Sequence, residues 1–283
     1  MQEIQGKIKT QWNNILVEIL KEFVNICNQY NIKYFLAAGS AIGAVRHNGI
    51  IPWDDDIDVI MPRPEYNKFI KLCKTIDLGD FEILERETTP HYRFSYAKMG
   101  HKKSTLVEVE TQRDVHGLTM DIFPLDGTSS NEEDAEKLYN EYKKLTTKLH
   151  KVETYFSSDY TINLLKHMKI RTIFRHIYYK LAYNRQDILN KLKCLENKYD
   201  YADSSYIINY VEYWGFQKGY FPKEWFENYK EFEFEGINVK IPYCYDQYLH
   251  KMYGNYMELP PINKRVSHHS VVYLNILERE NIF

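Results

Sequence analysis

YFLAAGSAIGAVRHNGIIPWDDDIDVIM, residues 34–61, is the stretch that decides the fold of this 283-residue chain. Its apolar beginning at 34–38 predicts a short buried strand, and Gly39 with Ser40 opens a small helix that ends near His47. The apolar run at 57–61 predicts a second strand, because it is short and is stopped by proline. The stretch therefore predicts helices and strands that alternate along one sheet.

The segments around this stretch extend the same pattern. Apolar residues at three- and four-residue steps through 12–30 predict an amphipathic helix that packs on the sheet. Pro62 and Pro64 predict the start of another helix, through Cys73, because proline is tolerated in a first turn. Further strands are predicted at 81–84, 92–99 and 117–123, with 105–109 as a candidate for one more.

The character of the sequence changes at residue 131. Long charged helices are predicted at 132–151 and 161–199, whereas residues 206–283 are rich in tyrosine and weakly patterned. The predicted fold class is α+β, a mixed β-sheet flanked by helices with an additional mainly helical region. The predicted division is a catalytic core at 1–130, a helical extension at 131–205 and a C-terminal region at 206–283 that completes the cleft.

Composition limits the classes of function. The chain has 37 basic and 39 acidic residues, so no overall positive field favours a nucleic acid as partner. Its 4 cysteines lack the paired spacing of a zinc site or a thiol redox motif. The N-terminus lacks the apolar core of a signal peptide, and the longest uncharged run, 34–45, is too short to span a bilayer. These features predict a soluble, cytoplasmic protein.

Four carboxylates are crowded into residues 54–58, directly before an apolar strand. Such crowding raises the pKa of each carboxyl group by mutual repulsion unless a cation neutralises the charge. Because residues two apart on a strand point to the same side, Asp56 and Asp58 are predicted to face one hard cation. Asp54 and Asp55 are then predicted to support that pair or to have a structural role.

Two alternatives compete with a catalytic metal site. A calcium-binding EF-hand loop fits the acidic spacing, but Val59 stands where that loop needs glycine. A run of acidic residues is usually a turn exposed to solvent. Here, however, Trp53 and Ile57 are expected to anchor the acidic run in a hydrophobic core. The catalytic metal site is therefore the favoured interpretation.

Two other features would complete a site for phosphate chemistry. Asp121 lies inside an apolar strand, where burial of an unpaired charge is costly, and a nearby cation or a basic side chain would offset that cost. Gly39 and Ser40 lie between a strand and a helix, so backbone N–H groups and the Ser40 hydroxyl can receive a phosphate. The alternative for Ser40 is an ordinary helix cap.

Two basic residues are candidates for contacts with the substrate. Arg46 follows Ser40 by less than two helical turns and is predicted to reach a bound phosphate or, alternatively, to pair with the acidic run. Lys98 lies in an extended segment and is predicted to bring a positive charge to the cleft. The alternative for Lys98 is an ordinary surface lysine.

The C-terminal half holds three further candidate surfaces. A basic cluster, predicted to contact the acceptor or to lie on the surface, consists of Lys264, Arg265, His268 and His269. An aromatic set that can surround a quaternary ammonium, although a core role is favoured for each member, consists of Tyr210, Tyr213 and Trp214. Residues 160–186 contain lysine and arginine but no acid. Their apolar face is favoured to pack on the protein's own core, and docking on anionic lipid is the alternative.

The motifs FLAAGSAIGAVRHNGIIPWDDDIDVIMPRPEYNKF and GLTMDIFPLDG resemble the LicD family of fukutin-type transferases in the nucleotidyltransferase-like superfamily, and YLHKMYGNYMELPP is similar to the family's C-terminal signature. The resemblance implies a nucleotidyltransferase-like mixed β-sheet. It places the superfamily's glycine–serine pair at Gly39 and Ser40, its metal-binding acids at Asp56 and Asp58, and its third acid at Asp121.

The resemblance also implies a reaction. Members similar to this chain move phosphocholine or a polyol phosphate from a CDP-linked donor to a hydroxyl of a glycan or lipid-linked glycan and release CMP. The implied cofactor is Mg²⁺ or Mn²⁺ on Asp56, Asp58 and Asp121, with Asp121 also a candidate to accept the hydroxyl proton. A nucleotidyltransferase that moves NMP from an NTP onto a small hydroxylated acceptor is the alternative. A catalytically inactive binding protein is disfavoured, because it has no need of three convergent acids.

Overall fold

A computed structural model describes residues 6–109, 111, 115–266 and 271–280, apart from the side chain of Asp159. The first half contains α1 (Gly6–Gln29), β1 (Phe35–Leu36), α2 (Ala38–Arg46), β2 (Asp58–Pro62), α3 (Arg63–Cys73), β3 (Phe81–Leu84), β4 (Ala97–His101), β5 (Thr105–Val107) and β6 (Thr119–Thr128). The second half contains α4 (Glu132–Glu153), α5 (Ser158–Lys166), α6 (Ile170–Ala182), α7 (Arg185–Glu196), β7 (Tyr206–Ile208), α8 (Phe216–Gly219), β8 (Tyr220–Pro222), β9 (Tyr229–Phe234), β10 (Ile237–Pro242), α9 (Tyr245–Tyr253) and β11 (Tyr273–Asn275).

A mixed sheet organises the fold and confirms the predicted α+β class. Its strand order is β1-β2-β6-β4-β3, with β7 also paired to β6 and β8 paired to β7. β2 and β6 are parallel, whereas β4 runs antiparallel to β6. In this register Asp58 on β2 lies beside Asp121 on β6, which in turn lies beside Lys98 on β4. The sheet therefore brings three predicted site residues into one row.

Two clusters of buried side chains support the sheet. In the main cluster the apolar face of α1 packs on the sheet, as the periodicity of its sequence predicts. Leu16, Ile19 and Phe23 of this face are fully buried. The second cluster joins α4 and α7 to residues of β7 and β8, including Ile208 and Tyr220. The core of the helical extension therefore includes side chains from beyond residue 205, and the division at 130 and 205 stays a prediction.

Several predicted strand boundaries are wrong. The strand predicted at 34–38 covers only Phe35–Leu36, because Ala38 already begins α2 with a left-handed φ of 48°. The strand predicted at 92–99 begins only at Ala97, since the residues before it are irregular and bend at 95–96, where the Tyr92 hydroxyl donates to the Tyr96 carbonyl at 2.9 Å. The strand predicted at 117–123 instead runs from Thr119 to Thr128.

The single helix predicted at 161–199 is also wrong, since this segment contains three helices. One break falls at Met168, where φ is 54°. Another falls at Asn184, whose side chain accepts the backbone N–H groups of Gln186 and Asp187 and caps α7. The expectation that the apolar face of 160–186 packs on the protein's core is likewise wrong, because α6, which is described throughout, buries none of its residues. None of the helices in the described part of the chain combines the length and the apolar character that a transmembrane span requires.

Candidate active site

A cleft of about 990 Å³ lies where the N-terminal end of α2 meets the start of β2. This volume suits a small-molecule ligand, for which pockets of roughly 300–1,000 Å³ are usual. One part of its wall carries Gly39, Arg46 and the acidic run. Other parts carry aromatic side chains, most of them from the C-terminal region: Trp53, Tyr96, Phe123, Tyr213, Trp214, Tyr248, Tyr253 and Tyr256.

The acidic run alternates between the cleft and the protein interior. Asp54, Asp56 and Asp58 line the cleft, whereas Asp55 is only 2% exposed and Ile57 is fully buried. Helix α1 holds the run in this position. Its Trp12 indole N–H donates to the Asp55 carbonyl at 2.8 Å, and its Lys9 ammonium donates to the Asp54 carbonyl. Three carboxylates therefore face one space, as the alternation of an extended backbone requires.

The charges of these carboxylates oppose one another. Burial, followed by repulsion from Asp56 and Asp55, raises the pKa of Asp54 to about 8, and the Asp54 and Asp56 carboxyl groups share a hydrogen bond. Burial, followed by repulsion from Asp56 and Asp121, also raises the pKa of Asp58 well above its usual range. Two carboxylates can share a hydrogen bond only when one of them keeps a proton. A hard cation with oxygen ligands fits this space, because it would replace that proton.

Two overlapping sets of carboxylates are candidates to bind such an ion. Oxygen atoms of Asp54, Asp55 and Asp56 lie within 4.8 Å of one another, whereas the cleft is lined by Asp54, Asp56 and Asp58. We favour the cleft-lining set, because an ion held there can also bind a substrate phosphate. Asp54, predicted to be a supporting residue, thus lies in the cleft itself. The EF-hand alternative is wrong, because the run continues into strand β2 where a calcium loop would turn.

The third acid, Asp121, has a basic partner. The Lys98 ammonium donates to Asp121 Oδ1 at 2.8 Å and lies 4.6 Å from the centre of the Phe94 ring. Burial alone would lower the pKa of Lys98, but Asp121 raises it above its usual value, so Lys98 stays charged. Lys98 is only 4% exposed, so the alternative of a surface lysine is wrong. The role of Asp121 as a metal ligand stays a prediction, although it neighbours Asp58 in the sheet.

The start of α2 contributes backbone to the cleft wall. A Cβ atom on Gly39 would lie 2.4 Å from Asp54 Oδ2, so glycine is what allows this carboxylate to approach the helix. Ser40 is buried, and its hydroxyl accepts the backbone N–H of Asp58 at 2.9 Å. Ser40 thus ties α2 to β2, whereas the N-cap residue of α2 is Ala37. The helix-cap alternative for Ser40 is therefore wrong, and its contact with a phosphate stays a prediction.

Two arginines fasten the C-terminal chain to the edge of the cleft. Arg46 lines the cleft and donates to the carbonyl of Tyr256 and, at 3.3 Å, to that of Glu258. The alternative of an ion pair with the acidic run is therefore wrong, and the contact of Arg46 with a phosphate stays a prediction. The guanidinium of Arg265 lies 5.2 Å from the centre of the Trp53 ring. His268 and His269, the remaining members of the late basic cluster besides Lys264, lie outside the described residues.

The predicted aromatic set divides between core and cleft. Tyr210 is buried and stacks on Tyr142 with ring centres 4.7 Å apart, so its place in an ammonium-binding box is wrong. Tyr213 and Trp214 both line the cleft. Glu212 and Tyr253 also line the cleft, although no role was predicted for either of them from the sequence. A signal for Tyr253 was present, since it belongs to the motif YLHKMYGNYMELPP.

β2 and β6 run parallel, carboxylates lie at the start of both strands, and the N-terminus of a helix lies beside them. This arrangement is that of a nucleotidyltransferase-like transferase. The sequence profile described as LicD/FKTN/FKRP, nucleotidyltransferase domain, matches residues 31–166. The chain is 30% identical over 259 residues to the lipopolysaccharide cholinephosphotransferase LicD of Haemophilus influenzae. The matched region covers 90% of this chain and 93% of that protein. It is 46% identical over 44 residues to an uncharacterized protein of Rickettsia prowazekii, 16% of each chain. This chain belongs to the LicD family, and it is an enzyme of the phosphotransferase class.

Manganese is expected to stabilise the protein more at pH 8 than at pH 6. The pKa of Asp54 rises from about 4 in the unfolded chain to about 8 in the folded protein. The contribution of the Asp54 carboxyl group to the stability of the metal-free protein is therefore fully present below the unfolded pKa. This contribution is lost as the pH rises toward the folded pKa of about 8. Metal ions bind the ionised carboxylates, so bound metal removes this loss. Thermal melts with and without Mn²⁺ at both pH values measure the difference. Equal shifts at the two pH values would contradict this expectation, and Asp54→Asn should make the shifts more alike.

Proposed function

We propose that this chain transfers choline phosphate from a CDP-linked donor to a hydroxyl of a lipid-carried glycan, in a metal-dependent reaction that releases CMP. The observation that carries the proposal is a single cleft whose wall includes both Asp54, Asp56 and Asp58 and an aromatic end with Glu212. The first group suits a metal-bound pyrophosphate, and the second suits a quaternary ammonium. The lipopolysaccharide cholinephosphotransferase activity in the name of the Haemophilus relative supports both the group transferred and the kind of acceptor.

At the phosphate end of the cleft, Asp56 and Asp58 are proposed to hold Mg²⁺ or Mn²⁺, with Asp54 and Asp121 as further carboxylate neighbours. When bound, the ion supplies charge neutralisation to the pyrophosphate and to the departing phosphate. Gly39 lines the same cleft at the N-terminal end of α2. Backbone N–H groups at this helix end are proposed to donate to a phosphate oxygen.

The proposed transfer is an in-line displacement at the phosphorus that carries choline. The oxygen of the acceptor hydroxyl forms a new bond to this phosphorus as the bond to the phosphate oxygen of CMP breaks, and CMP leaves with the electron pair. Asp121 is proposed to accept the proton of the hydroxyl. Lys98, whose ammonium lies 2.8 Å from Asp121 Oδ1, is proposed to orient this carboxylate. A near-parental pH–rate profile for Asp121→Asn would count against the role of Asp121.

The aromatic end of the cleft suits a cation. The Lys218 ammonium lies 5.7 Å from the centre of the Trp214 ring and 6.0 Å from that of Tyr253, so both rings are positioned for one positive charge. The Glu212 carboxylate accepts the backbone N–H of Trp214 at 3.0 Å, and burial raises its pKa above the usual value. A choline ammonium beside Glu212 would favour its ionised form. A polyol lacks this charge, so the proposal favours choline over glycerol or ribitol.

The two ends of the cleft lie near one ring. Burial and Tyr248 raise the pKa of Tyr253, and the charges of Asp58 and Glu212 raise it further. Tyr253 is therefore within electrostatic reach of an acidic residue from each end. Asp58, Glu212 and Tyr253 line the same cleft, so we propose that the donor lies along this ring with its phosphates toward Asp58 and its ammonium toward Glu212.

Trp214→Leu is expected to raise the KM for CDP-choline about tenfold and to change kcat little. A cation held over an aromatic ring contributes about 0.5–1 kcal/mol at an exposed site and about 2 kcal/mol once bound ligand has excluded water from the ring. About 1.4 kcal/mol corresponds to a factor of ten. Steady-state kinetics with CDP-choline and CDP-glycerol measure the effect, with Tyr229→Leu, which removes a partly exposed ring outside the cleft, as the matched control. Equal losses with both donors would contradict a choline-binding role.

A ligand screen tests the proposed donor. Melting temperatures are measured with Mn²⁺ and CDP-choline, CDP-glycerol, CDP-ribitol or CTP, since a ligand that binds the folded state raises the melting temperature. We expect CDP-choline to give the largest increase. Stabilisation by CTP together with no effect of any CDP-alcohol would favour the alternative function, transfer of NMP from an NTP.

A further inference from the structure

Helix α6 and the end of α5 turn an apolar face away from the protein. Met168 and Leu181 are each 83% exposed, and Phe174 is 68% exposed. The large apolar side chains exposed along this segment are Ile162, Leu165, Met168, Ile170, Phe174, Ile177, Tyr178 and Leu181. Scattered exposed apolar residues are common on protein surfaces, but a contiguous set marks an interaction surface.

The opposite side of α6 holds the helix against the protein. The ring of His176 stacks on that of Phe156 with centres 4.0 Å apart. The hydroxyl of Tyr179 accepts a hydrogen bond from the Lys151 ammonium at 3.1 Å. Rotating α6 to bury its apolar residues would break both contacts, so the exposed face is a fixed feature of the fold.

Positive charges surround this apolar face. Residues 160–186 include no acidic residue, and the cations beside the face are Lys166, Lys169, Arg171, Arg175 and Lys180. Within the described ranges, none of these five forms an ion pair. At 100° per residue, Arg171 and Lys180 fall on either side of the stripe that contains Phe174. Arg185, in contrast to these five cations, forms an ion pair, with its Nε 2.6 Å from Glu153 Oε1.

We propose that α5 and α6 dock on a membrane surface that contains anionic lipid. The apolar stripe enters the boundary between head groups and acyl chains, and the flanking cations contact lipid phosphates, which is the arrangement of an interfacial amphipathic helix. A second copy of the chain is a poorer occupant, because the pairing of two such faces would bring like charges together. The proposal goes beyond the catalysed reaction and does not depend on it.

Vesicle sedimentation of the full chain, without any donor, tests the proposal. We expect the chain to sediment with vesicles of phosphatidylcholine and phosphatidylglycerol, to remain mostly in solution with phosphatidylcholine alone, and to be released by salt. The double substitution Phe174→Ser with Leu181→Ser should lower the bound fraction at least about tenfold, given the apolar area removed. Both residues are exposed, so the melting temperature should not change.

Two controls make the outcome decisive. Leu277→Ser removes an apolar side chain that is 81% exposed elsewhere on the chain, and this variant should bind vesicles like the parent. Arg171→Gln with Arg175→Gln removes two of the five flanking cations and should weaken binding to the anionic vesicles about tenfold or more, without changing the weak binding to phosphatidylcholine alone. Absence of vesicle binding, or equal binding by the Phe174 and Leu181 variant, would overturn the proposal. A dimer in velocity sedimentation that this variant dissociates, without vesicle binding by the parent, would assign the face to a second copy.

Discussion

Replacing Asp58 with asparagine should abolish most of the transfer activity and, in the absence of metal, should make the protein more stable. The change removes a proposed metal ligand, so kcat should fall by more than about a hundredfold, the upper range for residues that only orient such ligands. The change also removes a carboxyl group whose pKa is raised by burial and then by repulsion from Asp56 and Asp121, so the cost of ionising it in the metal-free protein disappears. Kinetics with CDP-choline and thermal melts without metal measure the two effects on one variant.

Asp55→Asn provides the matched control within the same run. Asp55 is buried on the other side of the backbone and does not line the cleft. Its substitution should leave kcat within about tenfold of the parent and should retain Mn²⁺ binding in calorimetry, whereas Asp58→Asn should lose much of that binding. An active Asp58→Asn enzyme, or equal losses in the two variants, would contradict the assignment of the metal site to alternate residues.

The second large effect concerns stability and is expected from Asp126→Asn. Asp126 is fully buried in β6 and forms a bidentate ion pair with Arg63 of α3, with N···O distances of 2.5 and 2.8 Å. Loss of Asp126 leaves the buried Arg63 charge without its hydrogen-bonded carboxylate, and breaking a buried ion pair in this way costs about 3–5 kcal/mol. Denaturant unfolding followed by circular dichroism measures this loss.

The network around Asp126 explains why its removal should affect both parts of the molecule. Arg63 also lies 3.8 Å from Glu196 of α7, and Glu196 pairs with Arg86 at 2.5 Å. Tyr142 of α4 donates to the same Glu196 carboxylate at 2.8 Å. The network thus links the sheet to the helical region through buried charged groups.

An exposed ion pair serves as the control for this prediction. Lys103 and Asp80 form such a pair at the surface, where solvent screens the charges. Lys103→Met should leave the unfolding midpoint unchanged. An Asp126→Asn protein as stable as the parent would show that the buried network contributes little to stability.

The sequence predicted the features of the site that depend on local periodicity. Alternation along an extended backbone places Asp56 and Asp58 on one side, and the structure shows this arrangement. The apolar spacing in α1 similarly predicted the face that packs on the sheet. Such patterns are local, so no knowledge of strand order is needed to interpret them.

Features that depend on distant partners were not predictable in the same way. The Lys98–Asp121 pair exists because β4 and β6 are neighbours. The sequence favoured a cation beside Asp121 and kept a basic side chain only as the alternative. The orientation of α6 was predicted wrongly because periodicity identifies an apolar face but does not say whether protein covers it. Glu212 gave no signal, since its neighbours in the cleft come from distant parts of the chain.

Product analysis tests the proposed reaction most directly. The enzyme is incubated with Mn²⁺, CDP-choline labelled in the choline group and a glycolipid acceptor prepared without choline phosphate. We predict equal amounts of CMP and labelled glycolipid, with the rate of formation of both lowered more than about a hundredfold in the Asp58→Asn variant. Pyrophosphate release from CTP, together with no CMP from CDP-choline, would contradict the proposed transfer of choline phosphate.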